Sequence, residues 1–213
     1  AKAFYHVHIE FYPPLRAKRL IKYYASSETG GWAAANVAAV ERTAAETRCA
    51  KLEYLAISGD ERLSREVFQK EFLAEFAELY GSADGVSLFA SPARINVIGE
   101  HIDYNGGLVF PAAIDRYLYL AIRKRTDGKI TYNDLRFTGV MHFDVSDAFA
   151  YRKEDGYANY LNGILTILAD RGFVLDSGFD ALFFSTIPAG GGVSSSAALE
   201  IGFAYAISEL YGF

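Results

Sequence analysis

Two short stretches of the chain combine glycine, hydroxyl, carboxylate, imidazole and guanidinium groups at close spacing. The later stretch places three glycines and three serines within the seven positions 190–196, after an apolar run and before an alanine-rich segment. The earlier stretch, 91–107, places a permanent cation, two carboxylates and an imidazole around the end of an apolar run. Groups of these kinds bind anions and hydroxyl-bearing ligands, so chemistry is expected in these two stretches.

The glycine-serine stretch is suited to holding phosphate. Glycines let the backbone approach a ligand closely, and the start of the helix behind them presents N–H groups and a positive dipole end. A serine hydroxyl can also reach a Mg²⁺ that neutralises phosphate charge. No Lys-Ser or Lys-Thr follows, so this is not the common P-loop. A flexible loop whose serines only cap a helix is the alternative. The residues are Gly190, Gly191, Gly192, Val193, Ser194, Ser195 and Ser196.

The earlier polar stretch is suited to holding a sugar. Glu100, His101 and Asp103 lie within four residues, and their acceptor atoms can bind several hydroxyl groups in fixed directions. Arg94 is a permanent cation that could stabilise charge on a transferring phosphoryl group. One alternative is a polar turn with a capping aspartate and a solvated histidine. A metal site is a further alternative, but no other His or Cys is placed to complete a ligand set.

Regular elements are predicted on both sides of these stretches. A helix is expected from Ser64, as its N-cap, to Tyr80, with Gly81 as the C-terminal glycine. Asp127-Gly128 predicts a hairpin turn. The other predicted elements are strands at 86–90, 95–98, 108–111, 117–125, 129–132 and 179–187, and helices at 157–171 and from 194.

The first third of the chain has a different pattern. Residues 4–12 alternate and predict a strand that Pro13-Pro14 ends, and helices are expected at 17–25 and 33–49. A short β-α-α segment therefore covers about 1–55. The polar residues that follow predict a linker at 56–65.

Composition limits the class of protein. Of the 213 residues, 51% are hydrophobic and 22% are charged, which is typical of globular domains and excludes disordered or collagen-like chains. The net charge of −5 gives no field that would attract nucleic acid. The single cysteine, Cys49, excludes an internal disulfide and fits a reducing, cytoplasmic environment. No apolar run or leader sequence indicates a membrane partner.

Together, the two stretches resemble the motifs of galactokinases, members of the GHMP family of sugar and metabolite kinases. The sequence Arg94-x-Asn-x-Ile-Gly-Glu-His-x-Asp-Tyr resembles their galactose-binding motif, and 188–200 resembles their ATP-binding glycine-serine motif. The resemblance covers about 65–213 in order. Ala93 stands where the family usually has glycine, which we expect to be tolerated if the backbone there is not left-handed.

The resemblance implies an α/β (α+β) fold, the N-terminal lobe of GHMP kinases, similar to domain 2 of ribosomal protein S5. It implies ATP-dependent phosphorylation of galactose at the C1 hydroxyl to galactose 1-phosphate. Glu100, His101 and Asp103 would hold galactose, and Arg94 would stabilise the transition state. The 190–196 loop would hold ATP phosphates, with Ser196 as a Mg²⁺ ligand.

The same resemblance implies that part of the active site lies elsewhere. The family's catalytic Asp, its carboxylate Mg²⁺ ligand and its C-terminal lobe would fall beyond Phe213, so we expect no measurable turnover from this chain alone. Two alternatives remain open. One is a kinase for galactosamine, N-acetylgalactosamine or arabinose, and the other is a non-catalytic sensor of sugar and ATP.

Residues 4–50 resemble the C-terminal end of galactose-1-phosphate uridylyltransferase, the enzyme that acts on the product of galactokinase. The resemblance lies in 8–16 and 22–30, where His8 and Glu10 align with a His-x-His pair. Those two residues alone cannot make a metal site. The predicted organisation is a transferase-like segment at 1–55, a linker at 56–65 and a kinase lobe at 66–213, as expected of a natural fusion protein.

Overall fold

The computed structural model describes residues 5–6, 48–53, 56, 61–102, 105–188 and 191–213. A short 3₁₀ turn at Lys153–Asp155 precedes the second helix. The helices are α1 (Glu61–Tyr80), α2 (Ala158–Asp170) and α3 (Ser195–Tyr211). The strands are β1 (Tyr5–His6), β2 (Ser87–Ile98), β3 (Phe110–Lys124), β4 (Lys129–Asp134), β5 (Met141–Asp144) and β6 (Phe179–Ser185).

The six strands form one mixed sheet in the order β1-β2-β3-β6-β4-β5. Strand β3 is antiparallel to both β2 and β6, whereas β6 and β4 are parallel. Helices on both faces of a single mixed sheet confirm the predicted α/β class.

The hairpin predicted at Asp127-Gly128 is wrong, because β6 lies between β3 and β4. All seven residues of β6 are buried, as expected of a central strand. The backbone of Gly178, just before β6, pairs with the segment that joins β3 to β4. Its N–H donates to Asp127 O at 2.6 Å, and its carbonyl accepts from Arg125 N at 2.8 Å. A Cβ on Gly178 would lie 1.8 Å from Lys129 O, so only glycine fits there.

Strand β2 is one long strand where the sequence predicted two. Pro92 lies inside it, at a register shift where the pairing with β3 passes from Pro92–Tyr117 to Ala93–Ile114. A bulge is a position that tolerates the missing N–H of proline. Ala93 is not among the described residues with positive φ, which meets the condition for alanine to replace glycine there. Strand β5 was not predicted.

Apolar side chains cover both faces of the sheet. One core lies beneath α2 and α3, and the other lies beneath α1. Strand β3 alternates between them, with Leu118, Leu120 and Ile122 in the first core and Tyr119 and Ala121 in the second. The alternation fixes the register of β3, because a one-residue slip would exchange the two faces.

Helix α1 presents an aromatic stripe at Phe68, Phe72 and Phe76, each four residues apart and almost fully buried. The helix begins at Glu61, so the prediction of Ser64 as its N-cap is wrong. The predicted end is confirmed: Gly81 has φ +82°, and its N–H donates to Ala77 O at 2.8 Å.

A helical turn at 48–53 packs against α1 and the sheet. Leu52 is 2% exposed in the aromatic core, and Arg48 forms an ion pair with Glu78 at 2.8 Å. The thiol of Cys49 donates to Leu135 O at 3.0 Å, and burial raises the pKa of that thiol to about 11. These residues, predicted to belong to the preceding segment, therefore contact residues of the predicted 66–213 lobe.

The rest of the predicted transferase-like segment is largely outside the described residues. Strand β1 falls within the strand predicted at 4–12 and pairs in parallel with β2. The helix predicted at 17–25, and most of the helix predicted at 33–49, lie outside the described residues. Within the part of the chain that the structure describes, no helix is long and apolar enough to cross a membrane.

Candidate functional site

Strand directions bring the two candidate stretches to one edge of the sheet. Leu118 of β3 pairs with Ser91 of β2 on one side and with Ser185 of β6 on the other. Because β2 and β6 both run antiparallel to β3, their carboxyl ends leave the sheet at the same edge. The turn after β2 and the glycine-serine loop after β6 form this edge, which we call the upper edge (98–102, 105–110, 186–188 and 191–195).

A backbone hydrogen bond joins the two stretches directly. The N–H of Arg94 in β2 donates to the carbonyl of Val193 in the glycine-serine loop at 3.2 Å. Arg94 itself is half-buried. The residue predicted to stabilise a transferring phosphoryl group therefore lies beside the loop predicted to hold phosphate.

The turn after β2 is tight and presents polar groups to solvent. Gly99 has φ +103°, and a Cβ there would lie 2.8 Å from Leu108 O, so glycine is required. Glu100 and His101 are exposed, and the carbonyl of His101 accepts from Asn105 Nδ2 at 3.1 Å. Asp103, the third predicted sugar ligand, lies outside the described residues.

The glycine-serine loop leads into α3 with an open helix start. Ser194 occupies the N-cap position in the left-handed region, at φ 64° and ψ 41°, and its side chain makes no capping hydrogen bond. This geometry disfavours the alternative in which Ser194 serves only to cap the helix, since capping residues normally adopt extended dihedrals. Ser195 is half-buried and Ser196 is exposed; Gly190 lies outside the described residues.

Backbone strain marks both stretches. Within the described part of the chain, only three residues other than glycine have positive φ: His101, Phe149 and Ser194. Such dihedrals are uncommon for residues with a Cβ, and strained residues concentrate at functional sites. Two of the three, His101 and Ser194, fall in the candidate stretches. Backbone geometry therefore points to the same two stretches that the residue types indicated.

A third group of residues at this edge was not singled out from the sequence. Strand β4 runs parallel to β6 and ends at Asp134, which is 2% exposed and bound by Arg136 at 2.6 Å. The rings of Phe137 and Tyr157 stack beside it at 5.6 Å between centroids. Burial raises the pKa of the Tyr157 phenol. The parallel pairing of β4 with β6 places these residues here, and no local sequence signal reveals that pairing.

Two family models match parts of the chain. Residues 74–124 match the galactokinase galactose-binding signature, and residues 159–213 match the GHMP kinases N terminal domain. The fold is therefore that of a GHMP kinase N-terminal domain, as the sequence predicted. Arg94, Glu100, His101 and Asp103 lie within the galactose-binding match, and 190–196 lies within the GHMP match.

Within that class, the chain is similar to galactokinases. It is 40% identical to the galactokinase of Fusobacterium nucleatum over 144 residues, which is 67% of this chain and 37% of that protein. The crystal structure of Lactococcus lactis galactokinase complexed with galactose matches at 37% identity and a TM-score of 0.65, over 68% of this chain and 38% of that chain. Methanococcus jannaschii mevalonate kinase shares the fold, at 22% identity and a TM-score of 0.52, over 60% of this chain and 41% of that chain.

The chain thus spans less than two fifths of the length of these galactokinases. Neither family match extends into residues 1–73. The predicted fusion with a uridylyltransferase has no support in these comparisons. The resemblance of the first fifty residues to that enzyme stays a prediction.

Proposed function

We propose that this chain is the sugar- and nucleotide-binding part of a galactokinase, which phosphorylates galactose at its C1 hydroxyl with ATP. The observation that carries the proposal is the position of the galactose-binding signature, 74–124, beside the glycine-serine loop at the upper edge. A sugar held by the first stretch and a phosphate held by the second would lie within reach of each other.

The glycine-serine loop would bind the phosphates of ATP. The left-handed Gly192 and Ser194 turn the backbone immediately before α3, whose first N–H groups face no capping side chain. A helix N-terminus favours negative charge by its N–H groups and its dipole. No acidic residue lies in the first turn of α3, so nothing there opposes an anion.

The turn after β2 would bind galactose. Glu100 and His101 are exposed at the upper edge, and Asp103 follows within two residues. Carboxylate and imidazole groups accept hydrogen bonds from sugar hydroxyls in fixed directions. Arg94, tied to Val193 through its backbone, would stabilise negative charge on the transferring phosphoryl group.

The described residues supply little of a magnesium site. Among them, no group of three or more His, Cys, Asp or Glu side chains could hold a metal ion. The exposed hydroxyl of Ser196 is a hard oxygen ligand that fits Mg²⁺. Mg²⁺ commonly takes its other ligands from water and substrate phosphates, so the loop needs to supply only one hydroxyl ligand. When bound, the ion neutralises phosphate charge.

The catalytic base and a carboxylate ligand of Mg²⁺ are proposed to lie outside this chain, as is a C-terminal lobe. Phosphoryl transfer depends on positioning and charge stabilisation, and a chain with part of the site would lack both. The single cysteine is consistent with a cytoplasmic kinase.

Binding measurements on the 213-residue chain test the proposal. Calorimetric titration with galactose, N-acetylgalactosamine, arabinose and glucose should show preferential binding of galactose, and titration with Mg·ATP should show binding. Glu100→Ala should weaken binding of the sugar and leave ATP binding unchanged. Equal affinity for glucose and galactose, or no binding of ATP, would contradict the proposal.

Turnover is tested separately. Incubation of the chain with galactose and radiolabelled ATP should give no galactose 1-phosphate above background. Steady formation of galactose 1-phosphate would place the catalytic base inside the chain and overturn that part of the proposal.

A further inference from the structure

Helix α3 approaches strand β2 very closely at one point. A Cβ built on Gly202 would lie 2.8 Å from Ser91 Cβ, 3.2 Å from Ser91 Oγ and 3.9 Å from Leu118 Cδ2. Gly202 and Ser91 are both buried. Rotation about χ1 cannot move Ser91 Cβ, because that atom is fixed to the strand backbone. Only glycine allows the helix to lie at this distance.

The contact joins the first residue of the earlier stretch to the helix that follows the glycine-serine loop. Ser91 precedes Arg94 by three residues in β2, and Gly202 follows Ser195 by seven residues in α3. Seven residues make about two helical turns, or roughly 10 Å. Since a helix moves as a rigid element, a shift at Gly202 displaces the glycine-serine loop relative to β2.

A second link joins the same two elements. The hydrogen bond from Arg94 N to Val193 O measures 3.2 Å, the upper end of the range for N–H···O bonds. A displacement of α3 away from β2 by about 1 Å would lengthen it beyond hydrogen-bond distance. Protection of the Arg94 amide from hydrogen exchange therefore depends on the distance between β2 and the glycine-serine loop.

We propose that Gly202 is a positioning residue, which sets the distance between the glycine-serine loop and the Arg94 strand by admitting Ser91 against α3. The proposal rests on the proposed function for the identity of the ligands. The geometric part, that Gly202 fixes this separation, does not depend on it.

Alanine at this position should separate the two stretches. Carbon atoms pack at about 3.5–4.0 Å, so the 2.8 Å contact in Gly202→Ala would have to open by about 1 Å. Alanine has a higher helix propensity than glycine, so a loss of affinity or protection in Gly202→Ala would not result from a weaker helix.

Amide hydrogen exchange of the full chain, followed by NMR, tests the geometry. In Gly202→Ala the Arg94 amide should exchange about tenfold faster or more, because its hydrogen bond is lost. Mg·ATP affinity, measured by calorimetry, should fall by about tenfold, the loss expected when one hydrogen bond to a charged group is removed. Adding Ser91→Gly removes the opposing Cβ, so the double variant should recover most of the protection and affinity.

Gly212→Ala is the matched control at the C-cap of the same helix. Gly212 has φ +74° and no atom within 4 Å of a built Cβ, so alanine there adds backbone strain without a clash. It should destabilise the protein and leave the Arg94 amide protected. Equal exchange in Gly202→Ala and wild type, equal loss in both alanine variants, or no recovery in the double variant would overturn the proposal.

Two further outcomes are also decisive. If Gly202→Ala does not fold, recovery of folded protein on adding Ser91→Gly supports the inference, and no recovery contradicts it. If the wild-type chain binds no Mg·ATP, the proposed role of the loop fails, while the exchange measurement still decides whether Gly202 sets the separation.

Discussion

The two edges of the sheet are built differently. At the lower edge (123–131 and 176–180), Asp180 is fully buried and accepts from Arg123 at 2.8 Å, Arg125 at 2.7 Å and Thr131 at 2.9 Å. Asp127 binds Arg125 from the other side. Charged and polar groups at this edge are therefore matched with partners on neighbouring strands.

The upper edge has the opposite character. It contains two left-handed residues with a Cβ, His101 and Ser194, and a helix start without a capping side chain. It also exposes the apolar side chains of Ile98, Leu108 and Phe110, of which Leu108 is 90% exposed. Ion pairing at one edge holds the sheet together, while the other edge keeps strained and accessible groups for binding.

The largest expected effect lies at the lower edge. Asp180→Ala removes a fully buried carboxylate that pairs with Arg123 and Arg125, whose side chains are 20% and 30% exposed. Breaking a buried pair costs about 3–5 kcal/mol, and because both arginines reach solvent, the free energy of unfolding should fall by about 3 kcal/mol. Urea denaturation measures it. A loss below about 1 kcal/mol would show that this edge does not carry the stability assigned to it.

A smaller effect is expected in the turn of the upper edge. Alanine at Gly99 would have a left-handed φ, and its Cβ would lie only 2.8 Å from Leu108 O. Gly99→Ala should therefore lower the free energy of unfolding by about 2–3 kcal/mol and also weaken sugar binding. Gly106→Ala is the control in the same turn, since φ is +79° and nothing lies within 4 Å. It should cost about 1 kcal/mol. Equal losses in both variants would remove the steric argument.

Ser194→Gly should raise stability. Glycine adopts the left-handed region without the cost to residues with a Cβ, so relief of strain should contribute about 1 kcal/mol, partly offset by a more flexible unfolded chain. Thermal unfolding measures the gain. Ser195→Gly, inside the first turn of α3, should instead destabilise by about 0.5–1 kcal/mol. A loss of stability in Ser194→Gly would show that its backbone is not strained.

The positions of the two stretches could be predicted because they depend on local signals. Glycines, serines and the Glu-His-x-Asp cluster follow apolar runs, and the elements on either side of them are present in the structure. The Arg94–Val193 bond could not be predicted, because it requires β6 to enter between β3 and β4. Nor could the packing of Leu52 against α1, since burial of one leucine by a distant helix has no periodic pattern.

The smallest expected effect is a pH dependence at the lower edge. Hydrogen bonds from Arg125 lower the pKa of Asp127 to about 2. A carboxyl whose pKa is lower in the folded than in the unfolded state contributes stability above its unfolded pKa, near 3.8, and loses it as pH falls toward 2. Asp127→Asn should therefore make the loss of stability between pH 4 and pH 2 shallower.

Asp144→Asn tests the same argument at a second carboxylate. Hydrogen bonds from the backbone and side chain of Ser146 lower the pKa of Asp144 to about 2, so the acid loss should again become shallower. Denaturation experiments between pH 4 and pH 2 measure the free energy of unfolding of both variants. Lys129 binds both carboxylates, Asp127 through its backbone N–H and Asp144 through its ammonium group, so the double variant should be shallower than either single variant by less than the sum of the two changes. A double variant no shallower than either single variant would mean that the acid loss arises from other carboxylates.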